Sequence, residues 1–337
     1  MPDFEPFKRG RFDALPDLPR VAHGYFATRA ETLTVTTPGL GTTRAAVRIH
    51  GAGPPLLLVH GLMTSSYSWR YVLPELGRHF TLYMPDLPGN GDSDRPSVLA
   101  DGSSRADASR ASATRSSRAD YGPDTMADWI GAVVAALGIR GCAAIGNSMG
   151  GYLAMRLALR DPGALSRLVN VHSPGVPEAR IYALQAALAV PGSQRLLRWM
   201  VQRDPERWAH KNVHYWDESL KSREEARVYG APLGTDAGVR AFIAHLRVTL
   251  APKPMRAFLA TLAQRKARGE PFPVPLQLVY ARQDPMVPPR FGEVFAAHLP
   301  GVPLVWLDEA SHFPHVDAPA RFIAAVLPFL RASDDAP

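Results

Sequence analysis

The chain predicts an α/β architecture: a mostly parallel central sheet flanked by helices, with a helical cap inserted into it. Three observations lead there. Short apolar runs alternate with segments of helical period, the pattern of successive βαβ units. Most of those runs are continuously apolar, as strands are when helices cover both sheet faces. A long, tryptophan-bearing helical stretch then separates the fourth main run from the fifth.

The elements follow in order. Residues 1–31 read as an N-terminal extension; Met1 to Arg20 mixes acids, bases and four prolines. It has no apolar h-region, so no secretory signal is expected. Thr32–Thr36 and Arg44–His50 alternate polar and apolar residues and predict an antiparallel leading pair. Buried strands are expected at Pro55–His60, Phe80–Met84, Cys142–Ile145, Leu168–Val171, Leu276–Ala281 and Val302–Leu307. Helices are expected at Thr125–Leu137, Gly150–Leu159 and Ala318–Leu330, the last capped by the Asp317 carboxylate.

Two stretches break the rhythm. Residues 97–120 hold seven Ser, six Ala, four Arg and three Asp, with almost nothing to bury, and read as a flexible surface insertion. Residues 174–269 read as a helical cap that returns the chain to the same sheet. The core therefore comprises 32–173 and 270–331, with a C-terminal tail at 332–337.

Composition narrows the classes. Of 337 residues, 46% are hydrophobic and 20% charged, which suits a large globular core and excludes a disordered or fibrous chain. The formal charge is +7, from 33 arginines and five lysines against 31 acids. The basic residues are scattered and no basic helix appears, so nucleic acid is not an expected partner. Cys142 is the one cysteine and lies in an apolar run; a buried structural thiol is expected, with no disulfide or thiolate metal site. The longest nearly apolar stretch, Ile130–Ile139, falls short of the ~20 residues that span a bilayer. A cytoplasmic protein without a membrane span is expected; the oligomeric state is not legible.

The chemistry gathers at Gly146-Asn147-Ser148-Met149-Gly150, which follows an apolar strand and opens a helix. A serine on a sharp strand-to-helix turn has a strained backbone and an exposed Oγ, and flanking side chains there would collide with neighbouring elements. A serine hydroxyl needs a base, and the base an orienting acid. Asp284 lies just beyond one apolar strand and His312 beyond the next, so both fall with Ser148 on the carboxyl edge of the sheet. His315 is the rival base, but it sits nearer the start of the following helix. No metal is expected, and Asp86, Asp92 and Asp94 in the DLPGNGDSD stretch read as loop architecture.

On these marks, with His60-Gly61-Leu62-Met63 after a strand, the chain resembles the α/β-hydrolase superfamily in its cap-bearing branch. The likeness covers residues 32–331, less the Ser/Arg-rich insertion. It implies the α/β-hydrolase fold, a catalytic triad of Ser148, Asp284 and His312, and an oxyanion hole formed by the backbone amides of Leu62 and Met149. No cofactor is implied. The loop HGLMTSSYSWR is similar to that of haloalkane dehalogenases, and DLPGNGDSD suits epoxide hydrolases. Both families use an elbow aspartate, whereas alkylation of Ser148 would leave a stable ether, and Leu62 stands where dehalogenases hold the halide with Asn.

The expected activity is hydrolysis of a carboxylic ester of a small to medium hydrophobic substrate through an acyl-enzyme. The GNSMGG elbow is also similar to that of carbon–carbon hydrolases of meta-cleavage products, whose oxyanion loop is usually richer in glycine. Thioesterase, lactonase and perhydrolase activities are further alternatives, and a non-catalytic ligand-binding protein on the same scaffold is the alternative of another class. Trp199, Trp208, Tyr215 and Trp216 are the candidate substrate contacts in the cap.

Overall fold

The computed structural model describes residues 4–97 and 119–332. Most of the expected insertion at 97–120, and nearly all of the tail, lie outside the described residues.

Eight strands form one sheet: β1 (Arg29–Thr37), β2 (Gly41–His50), β3 (Pro55–Val59), β4 (Thr81–Pro85), β5 (Cys142–Asn147), β6 (Leu165–Val171), β7 (Leu276–Ala281) and β8 (Leu304–Leu307). Their order is β1-β2-β4-β3-β5-β6-β7-β8. The expected leading hairpin is present: β1 and β2 run antiparallel, with Arg29 opposite Ile49 and Thr37 opposite Gly41. β2 meets β4 antiparallel, and the pairings from β4 through to β8 are all parallel.

The continuous apolar runs are explained by two cores. Successive strand residues point to opposite faces, so Leu57 and Val59 enter one cluster while Leu56 and Leu58 enter the other. The first cluster receives Trp129 and Val133 of α2 (Pro123–Ala136) and Leu153 and Leu157 of α3 (Met149–Arg160). The second receives Phe322 and Val326 of the C-terminal helix (Pro319–Arg331) and Leu73 and Leu76 of the short α1 (Leu73–Leu76). Cys142 is buried in the first core, and burial pushes its thiol up to about 12.

Between β6 and β7 run α4 (Ala179–Ala189), α5 (Ser193–Arg203), α6 (Pro205–Asn212), α7 (Arg223–Leu233), α8 (Asp236–Ala244) and α9 (Pro252–Ala267). Their starts carry the expected chemistry: Asp204, Ser222 and Thr235 accept from the amides of Arg207, Glu225 and Gly238, satisfying orphan N–H groups. Not all of this segment fits the expected cap. α9 buries Met255, Phe258 and Leu262 in the sheet core, with Phe258 edge-on to Tyr152 of α3 and to Phe295 of α10 (Arg290–His298). It is a sheet-flanking helix, which leaves α4 to α8 as the helices of the expected cap.

The N-terminal extension lies across that cap. Phe7 donates its amide to Trp216 O at 3.0 Å and packs edge-on to the Trp216 ring. Pro16 O and Asp17 O accept from the first amides of α7, Arg223 and Glu224. Phe12 lies beneath the guanidinium groups of Arg223 and Arg207, and Tyr25 then anchors the strap on the core through Ser66 Oγ at 2.7 Å.

One expected cap is corrected. Asp317 ends the short α11 (Pro314–Asp317), and no side chain caps α12 (Pro319–Arg331). The Asp317 carboxylate instead accepts from the amides of Trp216 and Ser311.

Candidate active site

Ser148 stands between β5 and α3 with φ 54° and ψ −124°, a left-handed conformation that an L-residue holds only under tertiary constraint. The flanking glycines are required by space. A Cβ on Gly146 would fall 2.6 Å from Gly151 Cα, and one on Gly150 would overlap the Val59 and His60 carbonyls. The Ser148 amide donates to Val171 O at 2.7 Å, which fixes the turn against β6. Ser148 is partly exposed while its neighbours are buried.

The structure brings the loops after β3, β5, β7 and β8 to one edge. Asn147 Nδ2 donates to His312 O at 3.0 Å, tying the elbow to the histidine loop. His312 Nδ1 lies 2.6 Å from Asp284 Oδ2, and Asp284 Oδ1 accepts from the amides of Met286 and Val287. Both side chains are buried. Burial alone would raise the Asp284 pKa, but the imidazoles of His312 and His172 outweigh it and hold the carboxyl below its usual range. An anion bonded at Nδ1 leaves Nε2 as the basic nitrogen of His312. His315, the rival, is buried 4.2 Å from the Trp69 ring centroid.

The Gly61–Leu62 loop abuts the elbow: a Cβ at Gly61 would lie 3.0 Å from Ser148 Cβ. Met149 is the first residue of α3, where the amide points out of the helix with the positive end of its dipole. Among the described residues, neither the Leu62 nor the Met149 amide has a hydrogen-bond acceptor.

A third side chain on this edge was not legible in the sequence. His172 is fully buried at the end of β6, with φ 50°. Its Nε2 accepts from the Ala281 amide at 2.9 Å, which puts the ring proton on Nδ1. That nitrogen lies 2.8 Å from Asp284 Oδ2, off the line of an ideal hydrogen bond. Burial lowers the His172 pKa despite the facing carboxylate, so the ring is a neutral dipole. His172, Asp284 and His312 offer ligand atoms within 4.8 Å of one another, a spacing that would admit a cation. His172 Nε2 and His312 Nδ1 are already engaged by hydrogen bonds, and His172 Nδ1 carries a proton.

The four cap aromatics are dispersed. Trp199 is 57% exposed, and Trp216 packs on Phe7. Trp208 is partly buried. Tyr215 approaches the edge with its ring, which stands edge-on to Phe313, the residue after His312, and its hydroxyl donates to Glu225 at 2.7 Å. Glu225 also pairs with Arg70, buried beneath the cap. In the DLPGNGDSD loop, Asp86 accepts from the amides of Ser66 and Asp92, and Asp94 from that of Arg44, an architectural use of both carboxylates.

A family model described as alpha/beta hydrolase fold matches residues 54–319. The chain is 27% identical over 289 residues to a 2-hydroxymuconate semialdehyde hydrolase of Pseudomonas sp. (strain CF600), covering 85% of this chain and 90% of that one. It is 25% identical over 303 residues to a pimeloyl-[acyl-carrier protein] methyl ester esterase of Aeromonas hydrophila, covering 85% and 98%. Among solved structures, a thermophilic esterase from Thermogutta terrifontis superposes with a TM-score of 0.65 at 22% identity, covering 90% and 98%.

Proposed function

Because the chain belongs to the alpha/beta hydrolase fold family, whose members are hydrolases, we propose that it is a serine hydrolase cleaving carboxylic esters of small to medium hydrophobic substrates. One observation carries the reading. A partly exposed serine in a left-handed elbow is tied through Asn147 to His312, whose Nδ1 lies 2.6 Å from Asp284.

In this reading His312 Nε2 takes the Ser148 proton as Oγ attacks the carbonyl carbon. Asp284 holds the tautomer and stabilises the imidazolium that forms. The Leu62 and Met149 amides receive the oxyanion, where preorganised dipoles act without solvent reorganisation. His312 then protonates the departing alcohol, and water attacks the acyl-enzyme by the same route. The cap supplies the selectivity for the substrate's apolar part.

Ser148→Ala is expected to lower kcat toward p-nitrophenyl esters by about 10⁵–10⁶-fold and to abolish labelling by a fluorophosphonate, with an unchanged melting temperature. Near-wild-type turnover in that variant removes Ser148 from the mechanism. The similarity to 2-hydroxymuconate semialdehyde hydrolase supports carbon–carbon bond hydrolysis as the second reading. A screen of esters, thioesters, lactones and a dienoate meta-cleavage product separates the two.

A further inference from the structure

The α4–α5 hairpin carries a surface that no step of the reaction uses. Six of the ten large apolar side chains exposed among the described residues fall on it: Tyr182, Leu184, Val190, Leu196, Trp199 and Met200. On α5, Leu196, Trp199 and Met200 occupy positions i, i+3 and i+4, one helix face, and are exposed by 57%, 57% and 47%. Arg203, a further turn along that face, sets its guanidinium 5.5 Å from the Trp199 ring centroid.

The charge on the hairpin has one sign. Residues 179–203 contain Arg180, Arg195, Arg198 and Arg203 and neither Asp nor Glu. Arg180 pairs back to Glu178, and Arg198 lies 3.5 Å from Asp236. Arg195 and Arg203 are exposed, and among the described residues neither has a carboxylate partner.

We propose that this hairpin is a docking surface for an anionic lipid bilayer, in which α5 lies in the headgroup plane. A helix with an apolar Leu/Trp/Met face and flanking arginines buries that face at the acyl boundary while the guanidinium groups meet phosphates. Each arginine near an anionic surface adds about fivefold to the affinity. A second copy fits less well: a two-fold interface sets the patch against itself, arginines facing arginines with no acid within the hairpin to neutralise them. No helix of the described residues is long and apolar enough to cross a membrane, so the attachment is peripheral. It delivers the cap to the phase where hydrophobic substrates concentrate, and stands independently of which bond is cleaved.

The test is cosedimentation of the full chain with extruded vesicles. Wild type is expected to pellet with vesicles of about one-third phosphatidylglycerol and not with pure phosphatidylcholine, and to be released as salt rises toward about 1 M. Arg195→Gln with Arg203→Gln lowers vesicle affinity about 25-fold, and Leu196→Glu with Met200→Glu by at least about tenfold. Thermal melts matching wild type establish that each pair of substitutions leaves the fold intact. Wild type that ignores anionic vesicles, or variants that bind them equally well, overturns the proposal. So does a dimer in vesicle-free sedimentation that Leu196→Glu with Met200→Glu converts to monomer, since the face then belongs to a second copy.

Discussion

His172 faces the same oxygen of Asp284 that His312 uses. As a neutral N–H dipole it draws negative charge from the carboxylate and tempers its pull on the His312 proton. His172→Phe keeps the ring volume and removes that dipole. The pH profile of fluorophosphonate inactivation is then expected to move its acid limb upward. His172→Asn tolerates the left-handed backbone, keeps an N–H donor near the position of Nδ1, and leaves the limb near wild type. If Phe slows inactivation without moving the limb, His172 only fills space. The placement of Ser148, Asp284 and His312 on one sheet edge was legible because small turn residues and strand ends announce it. His172 was not, because its place at the end of β6 acquires meaning only when the Asp284 loop folds over it.

At the scale of elements, continuous apolar runs marked the buried strands because two-sided burial leaves no room for alternation. Leu57 shows the energetic side: fully buried in β3, it is expected to cost about 2–5 kcal/mol on truncation to Ala, read from denaturant midpoints. A loss below about 1 kcal/mol would mean that the core closes over the gap. Helical period was a weaker guide, since it shows which face of α9 is apolar but not which layer that face meets. Asp317 is the same lesson at a helix start. A carboxylate before Ala318 is a good cap on local grounds, yet the amides of Trp216 and Ser311 claim it, and local preference yields to that tertiary demand.

For the whole molecule, the strap and the buried titrating groups set what holds it together. Deleting residues 4–20 removes the Phe7–Trp216 and Phe12 contacts and the Arg20–Asp217 pair. Amide exchange in α6 and α7 should accelerate while the central strands stay protected; unchanged exchange there would make the strap decorative. Burial pushes the pKa of His60 and of His245 down to about 4, so the unfolded chain binds protons there that the native state does not. Stability from these two groups is complete above pH 6.5 and is lost as pH falls toward 4. Asp317, pushed up to about 7 by burial, acts in the other sense: its contribution is present below about pH 4 and is lost as pH rises toward 7. Asp317→Asn should therefore add about one proton to the uptake on unfolding near pH 5, measurable as a steeper fall of melting temperature with acid. The same carboxyl group has a mechanical consequence, since it grips the cap at Trp216 and the histidine loop at Ser311 with one pair of oxygens. A displacement of the Trp216 segment is therefore expected to reach the histidine loop through this shared carboxyl, as a hinge pin carries movement from one leaf to the other.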